Sequence, residues 1–374
     1  MNPLEFFNRY AECCQPYKGG NWCYEDGLIY RGLSLLHKAT GDQRFLDHLL
    51  RLANAQIAPD GALRGYDPDE YNIDNVMPGQ CLFYLADVTG DPRYMAAADR
   101  LIGQLQTHPR TQSGNYWHKR IYPNQVWLDG LYMGLPFQIE YGRRAGSDML
   151  VNDALDQLVR ALELTGRGDG LYVHGYDEAR QQAWADPETG HSAACWGRAM
   201  GWLAMALADV AMLSGREAFR VKGLEARSLD LFEKLLALKA QDGLWLQVID
   251  QPDLPGNYSE SSSSAMFAYA FLQAGSSGLW EKGIAEGQKA LETVIKSALI
   301  PGGNGETALQ RICHVAGLGG FSGAYRDGTP EYYLTEAVVA DDPKGVGPLM
   351  MAVSACIMSG EKLLNAPEHL RMPA

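Results

Sequence analysis

The sequence predicts an all-α fold, an (α/α)6 barrel of six helical hairpins, and three observations predict it. A two-helix unit recurs about six times. In each copy the first helix is apolar nearly all round and the second carries one charged face, which suits an inner and an outer wall. No copy at either end has the polar outer face that an open superhelix needs, so the array closes. No Pro/Ser/Gly-rich or like-charge run divides the chain, so residues 1–374 are expected to form a single domain.

The copies follow in order. The first is GLIYRGLSLLHKATGDQRFLDHLLRLANAQ, and the second, GQCLFYLADVTGDPRYMAAADRLIGQL, repeats its Thr-Gly-Asp turn. The third is GLYMGLPFQIEYGRRAGSDMLVNDALDQLVRAL and the fourth is GWLAMALADVAMLSGREAFRVKGLEARSLDLFEKLLAL. The fifth, SAMFAYAFLQAGSSGLWEKGIAEGQKALETVIKSAL, again turns at Gly. The last, VGPLMMAVSACIMSGEKLLN, leaves room for only a short second helix.

Composition narrows the partners. Lys and Arg number 32 against 45 Asp and Glu, a formal charge of −13 that repels nucleic acid and acidic membrane. The 46% hydrophobic and 21% charged residues are those of a folded globular chain. No apolar stretch reaches the ~18 residues a spanning helix needs. The N-terminal MNPLEFFNRYAECCQ interrupts its apolar residues with charge, unlike a secretory signal, so a cytoplasmic protein is expected. The seven cysteines are scattered without a CxxC pair and read as reduced, mostly buried thiols; for Cys195, beside Trp196, packing is favoured over a nucleophilic role.

Four loops rich in aromatic and polar residues end just before an inner helix: YNIDNVMPG, NQVWLDGLY, SAACWGRAMGW and YSESSSSAM. Equivalent positions of a closed barrel lie at one end, so these loops converge on one mouth. Asp129 and Asp74 occupy matching places in successive repeats. Each is readable as a helix cap or turn residue, or as half of a facing carboxyl pair in which one group donates a proton while the other stays anionic. Trp117-His118-Lys119-Arg120 and Arg198, between Trp196 and Trp202, could hold a carboxylate, or could be surface cation–π pairs. His174 and His191 are loop histidines with either an assisting or a structural role. Ser261 to Ser264 read as the start of a helix and a hydroxyl lining, because no GxSxG elbow accompanies them. No metal-ligand spacing and no GxGxxG or P-loop is present, so no cofactor is expected.

Assembled, NWCYEDGLIYRG, NIDNVMPG, YWHKRIYPNQVWLDGLYMG, LYVHGYDE, HSAACWGRAMGW, ESSSSAMFAYA and EYYLTEAVVADDPKGVGPLMMA resemble glycoside hydrolase family 105, the unsaturated rhamnogalacturonyl hydrolases. More distantly they resemble family 88, the unsaturated glucuronyl hydrolases. The resemblance covers nearly the whole chain.

It implies an intracellular enzyme that removes the Δ4,5-unsaturated galacturonosyl residue from the non-reducing end of lyase-generated pectin fragments. The substrate is a small oligosaccharide, the enzyme a monomer or homodimer. By likeness of motif Asp129 is the general acid/base and Asp74 the assisting carboxylate. His118, Lys119, His174, Trp196, Arg198 and Trp202 match pocket-lining positions, as do Trp22 and Tyr24. His174 is favoured over His191, and Arg198 with Lys119 or His118 is expected to bind the uronate carboxylate. The implied reaction is hydration of the C4–C5 double bond. The alternatives are a glucuronyl hydrolase acting on other lyase products, an inverting glycosidase, and a sugar epimerase on the same barrel.

Overall fold

A computed structural model describes residues 2–302 and 305–360. The Thr-Gly-Asp turns show how sequence sets the hairpins. Helix α1 spans Pro3–Cys13; α2 (Tyr24–Thr40) and α3 (Gln43–Asn54) form the first hairpin. Gly41 ends α2 in the left-handed region at φ 68°, and the Asp42 carboxylate caps α3 by accepting from the Arg44 amide. Helices α4 (Gln80–Thr89) and α5 (Pro92–Thr107) repeat the device with Gly90 at φ 69° and Asp91 on the Arg93 amide. In both turns the threonine hydroxyl donates to the carbonyl four residues back and accepts from the aspartate amide.

The remaining helices are α6 (Leu128–Arg144), α7 (Asp148–Thr165), α8 (Gly197–Ser214), α9 (Arg216–Val221), α10 (Leu224–Ala237), α11 (Ser261–Ser276), α12 (Gly283–Ser297), α13 (Pro330–Tyr333) and α14 (Pro343–Met358). Neighbour contacts run α2, α4, α6, α8, α11, α14 and back to α2, an inner ring that closes. The inner helices are apolar all round because neighbours cover them on every side: α11 buries every residue from Ser261 to Ala274. The outer α3 buries only Phe45, Leu46, Leu49, Leu52 and Ala53, a single helical stripe. Glycines let the ring shut: a Cβ on Gly347 of α14 would stand 2.7 Å from Leu28 Cβ of α2, and one on Gly32 of α2 would stand 2.8 Å from Met350 Cβ.

Two details add to the sequence reading, and one expectation falls outside the described residues. The outer half of the fourth hairpin is broken at Gly223, φ 72°, into α9 and α10. The short second helix expected after α14 lies outside the described residues. On that side of the outer wall stands α1, held to α3 by Arg51 on the Ala11 carbonyl and to the far segment by Arg9 on the Thr307 carbonyl.

The loops also contain short antiparallel strand pairs. These are β1 (Gln125–Trp127) with β2 (Gly175–Asp177), β3 (Trp245–Leu246) with β4 (Ser259–Glu260), and β5 (Leu299–Pro301) with β6 (Thr307–Leu309). The others are β7 (Ile312–Cys313) with β10 (Val338–Val339), and β8 (Gly319–Phe321) with β9 (Ala324–Arg326). Strands of two or three residues are too short to show an alternating pattern. Of the five pairs, β1 with β2 ties the segment before α6 to the one between α7 and α8, and the other four each close within one connecting segment.

Candidate active site

Asp129 is the second residue of α6, and its position is set by the strand before it. β1 pairs Trp127 with Gly175 and draws the Leu128 amide onto the His174 carbonyl at 3.0 Å. That register brings His174 Nε2 to 3.0 Å from Asp129 Oδ2. The N-cap of α6 is Trp127, so Asp129 is no capping residue. Asp129 Oδ2 and His174 Nε2 are both buried, and neither has a well-aligned hydrogen bond among the described residues. Such atoms are costly unless a ligand or reaction uses them. The other His174 nitrogen, Nδ1, meets the Tyr333 hydroxyl at 2.7 Å.

Asp74 lies in a 3-10 segment, Ile73–Gly79, whose cap is Asn72; the Asn72 side chain accepts from the Asp74 amide. The turn role weighed for Asp74 therefore belongs to Asn72, and the Asp74 carboxylate is left to other partners. Lys119 Nζ stands 2.6 Å from Asp74 Oδ2 and His118 Nε2 stands 3.7 Å from Oδ1. Burial raises the Asp74 pKa, but Lys119 and His118, with Lys18 further off, outweigh it and hold the carboxyl below its ordinary value. Asp74 is an anion at neutral pH. Burial pushes His118 down to about 4, so that imidazole is neutral. Its ring stacks on Trp127 at 4.3 Å, and Trp127 sets its edge against His174 at 5.3 Å, so one indole spaces the two histidines.

Arg198, on α8, is anchored by its neighbours. It is 1% exposed, its Nε donates to Ser262 Oγ at 2.8 Å, its Nη2 donates to the Cys313 carbonyl, and Glu260 lies 3.5 Å away. Lys119, with 24% of its side chain exposed, is the more open of the two cations. Trp196 stacks on Tyr333 at 5.5 Å and stands 4.9 Å from His174, and Trp202 stacks on Tyr132 at 5.4 Å. At 2% and 1% exposed these indoles form packed walls and not open platforms. Trp22 spends its indole N–H on the Asn75 carbonyl, 2.8 Å away, and so anchors the Asp74 segment. Tyr24 sets its ring edge against Trp202 at 6.4 Å.

His191 turns away from the pair, its Nε2 donating to the Leu164 carbonyl at 2.8 Å. Cys195 is fully buried on the Tyr172 carbonyl, and burial pushes its thiol up to about 12, so it packs and does not attack. No disulfide joins any of the seven cysteines, and five of them are buried. Ser261 to Ser264 begin α11 as expected, but their hydroxyls turn inward: Ser262 donates to Glu260, Ser263 and Ser264 to the Glu260 carbonyl, and Ser261 to the Gln310 carbonyl.

Two residues escaped the sequence reading. Glu260, fully buried, accepts from the Ser262, Ser263 and Cys313 amides and faces Arg198. A carboxylate directly ahead of a run of serines at a helix start is a capping signal that was available. Tyr333 sits in the non-periodic EYYLTE stretch, where no pattern marks it. Beside Lys119 a cavity of about 370 Å³ opens, lined also by Asn72, Arg120 and Ile121.

The profile of Glycosyl Hydrolase Family 88 matches residues 6–359. A glycoside hydrolase from family 105 of C. acetobutylicum ATCC 824 is 34% identical. That match covers 96% of this chain and 98% of the other, with a TM-score of 0.89. The unsaturated rhamnogalacturonyl hydrolase YesR of Bacillus subtilis (strain 168) is 27% identical over 68% of this chain and 71% of its own length. The 24.9 kDa protein in picA locus of Rhizobium radiobacter is 50% identical over 60% of this chain and 99% of its own.

Proposed function

The chain belongs to the glycoside hydrolase family 88 and 105 group, and from that premise we propose that it removes the Δ4,5-unsaturated galacturonosyl residue from lyase-generated rhamnogalacturonan fragments. As a glycoside hydrolase of this group it is a helical-barrel enzyme of unsaturated uronic acid degradation. The choice of rhamnogalacturonan, with rhamnose as the next sugar, is supported by the likeness to YesR. The observation that carries the reading is the state of the two carboxyl groups around His118: an Asp129 oxygen with no aligned partner, and an Asp74 held anionic by Lys119.

The unsaturated sugar contains an enol ether, which protonates on carbon. Asp129 donates a proton to C4, and the cation that develops at C5 and the ring oxygen is stabilised by the Asp74 carboxylate. Water adds at C5 and gives its proton to Asp129, which restores the acid. The resulting hemiketal opens, the hemiacetal left at C1 expels the neighbouring sugar, and a 4-deoxy-5-keto uronate remains. One water is consumed in all. Lys119, at the edge of a cavity lined also by Asp67, Asp69 and Glu70, is set to receive the uronate carboxylate. Local charge governs here, since the net charge of −13 is screened over ~8 Å.

We place residues 1–374 in one catalytic unit working in the cytoplasm, a setting that suits seven cysteines without a disulfide. Purified protein is given the lyase-generated unsaturated disaccharide and its saturated twin, with ultraviolet absorbance and product mass followed. Selective loss of the first is expected; turnover of the saturated twin instead would mark an ordinary glycosidase.

A further inference from the structure

His174 has two ring nitrogens, and each faces one group. Nδ1 lies 2.7 Å from the Tyr333 hydroxyl and Nε2 lies 3.0 Å from Asp129 Oδ2. The His174 and Tyr333 rings are both fully buried. Among the described residues, His174 is the one hydrogen-bond partner of the Tyr333 hydroxyl. A buried hydroxyl hydrogen without an acceptor is expensive, so the hydroxyl donates to Nδ1. A nitrogen that accepts holds no hydrogen, and the neutral ring must therefore keep its hydrogen on Nε2.

We propose that Tyr333 is a positioning residue that fixes His174 as the Nε2–H tautomer, so that the imidazole presents a hydrogen-bond donor to the Asp129 carboxylate that proton transfer leaves behind. The proposal rests on the reading of Asp129 as the acid and base of the reaction. With Nδ1 closed by the phenol, His174 offers Asp129 a donor and no lone pair. It steadies the carboxylate after proton transfer to C4. The 3.0 Å approach is off the line of a good hydrogen bond, a geometry that substrate commonly tightens.

The surroundings hold Tyr333 to this task. Its ring stacks on Trp196 with an interplanar angle of 18°, and its carbonyl accepts from Gln247 Nε2 at 2.9 Å. Burial, then the neighbouring Tyr332 and Asp129, push the phenol well above its ordinary pKa, with Arg326 opposing, so it remains a hydroxyl. Asp129 and His174 both act on the titration of the neighbouring His118, Asp129 raising it and His174 lowering it.

The test is nitrogen NMR on the full-length, histidine-labelled protein without substrate at neutral pH. The His174 signals are assigned by their loss in His174→Gln. The wild type is expected to show a protonated Nε2 and a bare Nδ1 coupled to a slowly exchanging Tyr333 hydroxyl proton. In Tyr333→Phe the ring is expected to shift toward the Nδ1–H form, with kcat down ~10-fold to 100-fold and KM nearly unchanged, the usual scale for losing an outer partner. An Nδ1–H wild type, a missing hydroxyl coupling, or a Tyr333→Phe protein with unchanged tautomer and kcat would overturn the proposal. The wild-type spectrum decides even if the variant does not fold. Failure to turn over the unsaturated disaccharide would instead sink the functional reading and leave the tautomer measurement standing.

Discussion

Lys119 and Asp74 meet at 2.6 Å at the edge of the mouth, the lysine partly in solvent and the aspartate buried. Burial alone would raise the Asp74 pKa, and the ammonium is the largest single influence pulling it down. Lys119→Met is therefore expected to move the acidic limb of the kcat/KM profile upward by on the order of one pH unit, because Asp74 then takes up its proton sooner as pH falls. Activity at about pH 5 should suffer more than activity at about pH 8, and a profile displaced the other way would contradict the assignment.

Asp129→Asn keeps the size of the side chain and removes its proton chemistry. We expect kcat to fall by ~10²-fold to 10⁴-fold. Circular dichroism and the urea midpoint should stay near those of the wild type, because Asp129 neither caps α6 nor makes an aligned hydrogen bond through Oδ2.

Turnover in heavy water tests where the proton goes. Product from the unsaturated disaccharide should contain one carbon-bound deuterium at C4, read by mass and by proton NMR, since carbon protonation by Asp129 starts the reaction. Product without label at that carbon would move the protonation to oxygen.

Acid lability should come from buried neutral histidines. His108, 4% exposed, has its pKa pushed down from 6.5 to about 4 by burial, against the opposing pull of the Trp117 carbonyl. The unfolded chain takes a proton there near 6.5 and the folded chain does so only near 4. Its contribution to stability is thus full above pH 6.5, falls through the interval, and is gone below 4, a loss of roughly 3 kcal/mol. In His108→Gln the urea midpoint should depend less steeply on pH across that interval.

Closure of the ring can be probed at Gly347. A Cβ there would lie 2.7 Å from the Leu28 side chain and 2.8 Å from its carbonyl oxygen. Gly347→Ala should lower the unfolding free energy by about 1–3 kcal/mol through overpacking, seen as a lower urea midpoint at unchanged slope.

The hairpins could be read from the sequence because each uses strong local signals. The Thr40-Gly41-Asp42 and Thr89-Gly90-Asp91 turns contain a left-handed glycine and a capping aspartate, and the helices on either side show burial at helical spacing. The site was legible only in part. Asp129 and Asp74 belong to the segments that lead into inner helices, but whether each caps its helix depends on backbone geometry, and Trp127 and Asn72 take those places. Glu260 stands far along the chain from Arg198, and their pairing follows from the packing of α11 on α8, which no local pattern records. Tyr333 reaches His174 across 159 positions through a stretch without helical periodicity.

The buried Glu260 shapes how this end of the molecule can change over generations. Removing the carboxylate strands the Arg198 guanidinium, and removing the guanidinium strands a carboxylate tied to three backbone amides. Each lone substitution should then be harsher than the pair made together. Lineages that diversify their substrate range would be expected to leave this knot untouched and to change exposed positions first.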